Sequence, residues 1–405
     1  MLLSSWFITA LGATFIPQTL AWGAVGHEVV ATIAQMHLNP SVLPKLCAIL
    51  GSDASDFDGS CHLATVATWA DRIRGEPKYR WTGPLHYIGA TDDFPSSSCA
   101  FPGAGGWNGR PHINVLNGIR NVTTVLQDYQ DNLHAGASTQ SVAGYVQDAL
   151  KFLIHFLGDM HQPLHLTGRE RGGNGVKVSF DERVTNLHSL WDSLLIAQRL
   201  RTLPSNYSYP LPLPDVESNL RGTIYDPYIR RLVWEGILRK YEGELSSWVT
   251  CPAANRLRVL PLPRWQRVLL WFVGSTTDPS GLGVDDEIIC PYHWAKSVHA
   301  LNCEIVWPAE LDQSSPNRFS DVLSERETHA CCGESFLGFE DFEALVRRKN
   351  DYIELDTAEY SGRIKDEWII EELLAQAGIR LAAVLNWLFD DSSDGGSGSR
   401  LIHKF

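Results

Sequence analysis

His155 and Asp159 stand four residues apart in His155-Phe-Leu-Gly-Asp159-Met-His161-Gln-Pro-Leu-His165. On a helix that spacing puts an imidazole and a carboxylate on one face, one turn apart, where both can grip one metal ion. His188 and Asp192, in Asn-Leu-His188-Ser-Leu-Trp-Asp192, repeat it. A single such pair is more often an ordinary hydrogen-bonded pair. Two of them, with His165 and Gly172-Gly173-Asn174 between, point to a metal centre. Two further clusters carry ligand-type groups: Trp22-Gly-Ala-Val-Gly-His27, and Asp71 with Arg74 in Ala67-Thr-Trp69-Ala-Asp71-Arg-Ile-Arg74, followed by Leu85-His86-Tyr87. A free Trp22 amine, easily deprotonated beside a metal, would chelate together with its own carbonyl. The set of five histidines (27, 86, 155, 165, 188), three aspartates (71, 159, 192) and the Trp22 amine and carbonyl holds no thiolate. Mixed nitrogen and oxygen ligation suits Zn²⁺, and there are too many groups for one tetrahedral ion.

The elements that must position these groups are mostly helical. Val142, Tyr145, Val146, Ala149, Leu150, Leu153 and Ile154 follow the three-to-four spacing of a buried helix face over 141–156. Residues 24–37, 112–128, 186–200 and 364–389 read the same way, and Val176–Phe180 predicts one strand of a short hairpin. Clusters of Gly, Pro and Ser at 95–111 and 203–214 are loops. The expected fold is all-α, one large helical domain over 22–405 with loop insertions at about 252–287 and 311–357. The first insertion holds the basic and apolar run Arg264 to Val273, and the second holds adjacent Cys331 and Cys332. Both read equally as surface insertions or as translated intron.

With 405 residues, 44% of them hydrophobic and 14 of them Trp, the chain can bury a large core. A net charge of -13 argues against gripping duplex DNA through a broad basic face, but not against touching a few phosphates through bound metal ions. Residues 1–21 carry no Asp, Glu, Lys or Arg and end Thr19-Leu20-Ala21. They read as a signal peptide cut before Trp22 rather than as an anchor, since the apolar run is short and Pro17 interrupts it. Secretion makes the eight cysteines candidates for disulfides. It also fits the sequons at Asn121 and Asn206, expected glycosylation sites.

In order and content these motifs resemble the single-strand-specific zinc nucleases of fungi and plants, which share a helical fold with bacterial zinc phospholipase C. The likeness runs from Trp22 to Asp192 and resumes at His293–Cys303 and Ala377–Asn386. It implies three zinc ions. One would be held by Asp71, His86, His155 and Asp159, and a close partner by the Trp22 amine and carbonyl, His27 and a bridging Asp159. The third would be held by His165, His188 and Asp192. A hydroxide between the first two would attack phosphorus, with Asp71 and Asp159 as catalytic carboxylates. Arg74 would stabilise the charged transition state. The implied substrates are single-stranded DNA and RNA, giving 5′-phosphate products, and 3′-nucleotides.

Tyr87, Arg171 and Asn174 would contact substrate. Where fungal members place a base-contacting Asp, this chain has Gly89; Asp92 or Asp93 could substitute. His161 falls outside the ligand set. Cys99–Cys303 is the disulfide the resemblance implies, while Cys47–Cys61 and Cys251–Cys290 are suggested by position. The expected protein is a secreted monomer without stable membrane association. Two alternatives are a zinc phospholipase C and a secreted zinc-binding homologue impaired in catalysis.

Overall fold

Three helices are apolar on nearly every side and therefore end up inside the molecule. They are α1 (Ala24–Met36), α5 (Ala143–Asp159) and α8 (Ile369–Phe389). The computed structural model describes residues 22–110, 112–208, 213–252, 282–313 and 352–391. The expected signal peptide, Cys331, Cys332, the run from Arg264 to Val273 and most of both expected insertions lie outside them. Around the central helices stand α2 (Val42–Leu50), α3 (Trp69–Ile73), α4 (Val115–His134), α6 and α7 (Pro291–Leu301). Helix α6 runs through Leu187–Ser189, a wide π turn at Leu190–Leu194, and Leu195–Thr202. One hydrophobic cluster joins all of them, so the fold is mostly helical, as expected.

Helix α4 shows how sequence sets an element. Val115, Ile119, Val122 and Leu126 are buried at three- and four-residue intervals, and Asn114 caps the helix by accepting from the Asn117 N–H at 3.0 Å. The hairpin pairs β1 (Lys177–Phe180) with β2 (Arg183–Asn186). Its two-residue turn has positive φ at Asp181 (51°) and Glu182 (59°), the geometry that matches the twist of the flanking strands. Disulfides join Cys47 to Cys61, Cys99 to Cys303 and Cys251 to Cys290. Asn121 and Asn206 are both exposed.

Two sequence expectations need correction. Val142 and Tyr145 do not belong to the buried face of α5: they are 42% and 61% exposed, because the helix enters the core only from Val146 onward. The helix expected over 364–389 is broken at Trp368, which has φ of 63° and receives Arg231 over its ring at 4.6 Å. That long-range contact leaves no local signature.

Helices α1 and α8 touch at Gly378. A Cβ there would meet Ile33 Cγ2 at 2.5 Å and the Val30 carbonyl at 3.1 Å. Overpacking costs about 1–3 kcal/mol and Ala gains about 1 kcal/mol of helix propensity over Gly. With a backbone atom and a β-branched side chain in the way, Gly378→Ala is expected to lose about 2 kcal/mol net in urea unfolding. An unchanged midpoint would show that the two helices can separate freely.

Candidate metal centre

The last turns of α5 carry His155 and Asp159 into the interior, where both are fully buried. His155 Nε2 lies 3.2 Å from Asp159 Oδ2, so the four-residue spacing does converge. Asp71 from α3 and His86, at the end of the 3₁₀ helix Arg80–His86, close in from the other side. His86 Nδ1 is 2.9 Å from Asp159 Oδ2 and 3.8 Å from Asp71 Oδ1, and His155 Nε2 is 3.7 Å from Asp71 Oδ1. His27 on α1 reaches the opposite oxygen, with Nε2 at 3.4 Å from Asp159 Oδ1. Asp159 thus faces two groups of donors with its two oxygens.

His165, His188 and Asp192 form a separate buried group, with His188 Nε2 3.3 Å from Asp192 Oδ2. Asp192 lies in the π turn of α6, a local widening frequent at functional sites.

Glycines make these approaches possible. A Cβ at Gly158 would come within 2.6 Å of His27 Nδ1, so glycine lets the His27 ring stack on His155 at 3.9 Å between centroids. Gly172, at φ 65°, would drive a Cβ to 2.5 Å from the Leu164 carbonyl. Its own carbonyl orients His188. The Gly23 N–H donates to the Asp192 carbonyl at 2.7 Å, which docks the start of α1, and with it the wholly buried Trp22, beside the third group.

Backbone carbonyls also set the histidine tautomers. His155 Nδ1 donates to Ala67 O at 2.7 Å, His165 Nδ1 to His86 O at 2.7 Å and His188 Nδ1 to Gly172 O at 2.6 Å. A carbonyl only accepts, so Nδ1 carries a proton in each ring, and Nε2 is the nitrogen that can ligate metal once the ring is neutral.

The unpaired atoms test whether metal ions fit. Both oxygens of Asp71, Asp159 Oδ1, Asp192 Oδ2, both nitrogens of His27, and Nε2 of His86 and His165 are buried without a hydrogen-bond partner. Buried polar atoms ordinarily find partners; the carboxylate oxygens, and one nitrogen of each neutral imidazole, are electron-pair donors to a cation. His155 Nε2 and His86 Nδ1 stand 3.1 Å apart, both turned toward the Asp71 and Asp159 carboxylates. The charges agree. Burial acts to lower the His155 pKa, yet Asp159 and Asp71 raise it to about 9: the site draws in positive charge. Burial pushes Asp192 well above the ordinary carboxylate range against the Gln162 hydrogen bond, with Asp71 and Asp159 adding to the rise. Burial lowers His165 to about 3 and His188 to about 4, which keeps them neutral and ready to coordinate. These residues fit metal ions.

His86, His165 and His188 open onto a cavity of about 790 Å³ lined also by Arg74, Tyr87, Arg171 and Asn174. Arg74 Nη1 lies 3.4 Å from Asp71 Oδ1, beside the buried carboxylates. The structure therefore brings the five expected histidines and three expected aspartates together, beside a cavity lined by the expected substrate residues. Gly89 lines the cavity too, with its backbone so close to Gly168 that a Cβ would lie 2.3 Å from Gly168 N.

Asp92 and Asp93 do not substitute for the missing carboxylate. Asp92 accepts from the N–H groups of Gly103 and Gly105. Asp93 accepts from Ala100 N–H and pairs with His299 at 3.0 Å. Both are turned into the neighbouring loop. His161 is structural, bonded to Leu157 O and Arg380.

Sequence reasoning missed Gln162, whose Nε2 donates to Asp192 Oδ1 at 2.7 Å and leaves Oδ2 turned to the group. Arg80, Trp81 and Arg110 were also missed. The basic and aromatic interleaving of Lys78-Tyr79-Arg80-Trp81 was the available signal.

Three buried carboxylates without cations cost several kcal/mol each. At about 2 °C for each kcal/mol, thorough chelation is expected to lower the melting temperature by at least about 10 °C, reversibly on restoring metal. A melting curve indifferent to chelation would show that the cluster is stable without ions.

The S1/P1 Nuclease family profile matches residues 22–231. Endonuclease 4 of Arabidopsis thaliana is 35% identical over 223 residues, 54% of this chain and 70% of that protein. Nuclease PA3 of a Penicillium species is 35% identical over 301 residues, 71% of this chain and 82% of the relative. Nuclease S1 of Aspergillus oryzae is 35% identical over 191 residues, 46% of this chain, and the match spans 58% of that enzyme's length. With a converged set of metal-ligand side chains and a family match over more than half its length, the chain belongs to the S1/P1 nuclease family.

Proposed function

We propose that the protein is a secreted, zinc-dependent endonuclease cutting single-stranded DNA and RNA to 5′-phosphate products, with 3′-nucleotidase activity. The observation that carries this reading is the buried donor set itself. Atoms held about 2.0–2.1 Å from one tetrahedral ion stand about 3.3 Å apart. The 3.2, 3.4 and 3.3 Å separations of His155–Asp159, His27–Asp159 and His188–Asp192 have that length. Asp71, His86, His155 and Asp159 would hold one ion. The Trp22 amine and carbonyl with His27 and Asp159 would hold a second, and His165, His188 and Asp192 a third. Bound zinc would polarise water and the phosphoryl oxygens.

The chain's own groups do the rest. Asp159, with one oxygen toward each donor group, fixes the spacing of the first two positions. Arg74 presents a guanidinium at the cavity wall, where it can bond the extra charge that develops on phosphate oxygens as the phosphodiester breaks. Tyr87, 54% exposed, offers a stacking face for a base. Arg171 and Asn174 line the same wall. Three disulfides fit an oxidising compartment, and exposed Asn121 and Asn206 are accessible for glycosylation. Among the described residues no helix is long and apolar enough to cross a membrane. We infer a monomer.

The test is release of acid-soluble nucleotides from single-stranded DNA by protein starting at Trp22, with and without chelation, against duplex DNA and phosphatidylcholine. Zinc-dependent cutting of the single strand is expected; turnover of phosphatidylcholine alone would replace this reading with a phospholipase. Arg74→Ala is expected to lower kcat about 10²–10³-fold with metal content unchanged, and a smaller loss shared with KM would reduce Arg74 to substrate binding. One extra residue before Trp22 should cost zinc affinity and activity together, because it removes the amine; full zinc content in such a protein would rule out the N-terminal ligand.

A further inference from the structure

The cavity extends well past the metal ligands. The 3₁₀ helix that ends in His86 begins at Arg80, and residues three apart on such a helix eclipse one another. Trp81, Pro84 and, directly after the helix, Tyr87 are spaced by three, and all three line the cavity. They form a row along one wall. At about 2 Å of rise per residue, Trp81 stands about 12 Å from Tyr87 along the helix, too far for both rings to stack on the same base.

Arg80 and Arg110 line the same cavity with Arg74 and Arg171, and among the described residues no Asp or Glu lines it. This is the reverse of the chain as a whole, which carries 47 acidic against 34 basic residues. Arg80 and Arg110 are exposed, and neither makes an ion pair with a carboxylate among the described residues. Trp81 is 62% exposed, so its ring is open to a base that enters the cavity.

We propose that Arg80, Trp81 and Arg110 form a second nucleotide subsite, so that the cleft grips a single-stranded oligonucleotide over several residues and not only the nucleotide at the metal centre. The arginines take backbone phosphates and Trp81 stacks a base. Recognition through stacking and phosphate charge is tolerant of sequence, in keeping with a wall whose polar side chains include no carboxylate to read a base edge. The subsite rests on the nuclease reading for its substrate, but its binding can be tested apart from cleavage.

The experiment uses the zinc-loaded protein, its Arg80→Ala/Arg110→Ala and Trp81→Ala variants, and Arg183→Ala as a control that removes an exposed charge elsewhere. Binding of a nuclease-resistant phosphorothioate thymidine octanucleotide is followed by fluorescence anisotropy across salt concentrations. Each phosphate contact contributes about 0.7 to the slope of log affinity against log salt. The double variant should therefore flatten the slope by about 1.4, and Trp81→Ala should weaken binding about 5-fold or more. The ratio of kcat/KM for an unmodified octanucleotide to that for a 3′-mononucleotide should fall about tenfold in both variants, and Arg183→Ala should move neither readout. Slopes and ratios equal to the parent protein's overturn the subsite. If the parent cuts neither substrate but the slope still falls in the double variant, the nuclease reading fails and the subsite stands.

Discussion

Three carboxylates, Asp71, Asp159 and Asp192, are carried into the interior of this molecule at 2% exposure or less, and hydrogen bonds leave both oxygens of Asp71 and one each of Asp159 and Asp192 without a partner. Left without cations they would cost on the order of 10 kcal/mol together, the size of a domain's whole stability. In a site of this composition, folding and metal binding are coupled. Cations bound here would offset that cost and supply the proposed chemistry at the same place.

Much of the architecture follows from meeting that demand. The central helices must come close enough for donors from four chain segments to share one volume, which explains small residues where the packing is tightest. Gly158 admits the His27 ring, and Gly23 allows the start of α1 to bond the backbone of Asp192. Backbone carbonyls of Ala67, His86 and Gly172 hold three imidazoles by Nδ1, so the orientation of each ring is set without an ion. Gln162 does the same for Asp192. Such prior ordering lowers the entropic cost of coordination.

The charge distribution makes sense on the same terms. An acidic exterior repels nucleic acid, yet the cleft wall presents arginines and exposed aromatic rings without a single carboxylate. Among the described residues, the cavity that leads to the buried donors thus offers positive charge. A strand threaded along the Trp81–Pro84–Tyr87 row would reach His86 at its end, so one element carries both the proposed track and a candidate metal ligand.

Sequence alone determined what local geometry controls. The pairs His155/Asp159 and His188/Asp192 were legible because four residues make about one helical turn wherever the helix lies. Helices α1, α4 and α5 were legible because their apolar spacing matches their burial, apart from the overhanging first turn of α5. The type of the donors, without thiolates, already pointed to a metal centre. Tertiary structure decided the rest. Which oxygen of Asp159 faces which group depends on α1, α5 and the Arg80–His86 turn meeting at one point. The turning away of Asp92 and Asp93 depends on a loop fold that their neighbours' N–H groups impose. The break at Trp368 depends on a partner more than a hundred residues distant. The row of Trp81, Pro84 and Tyr87 has a period of three, not 3.6, and was hidden by reading the chain for α-helical faces. Spacing fixes the direction of a side chain relative to its own helix. Only packing fixes where that helix points.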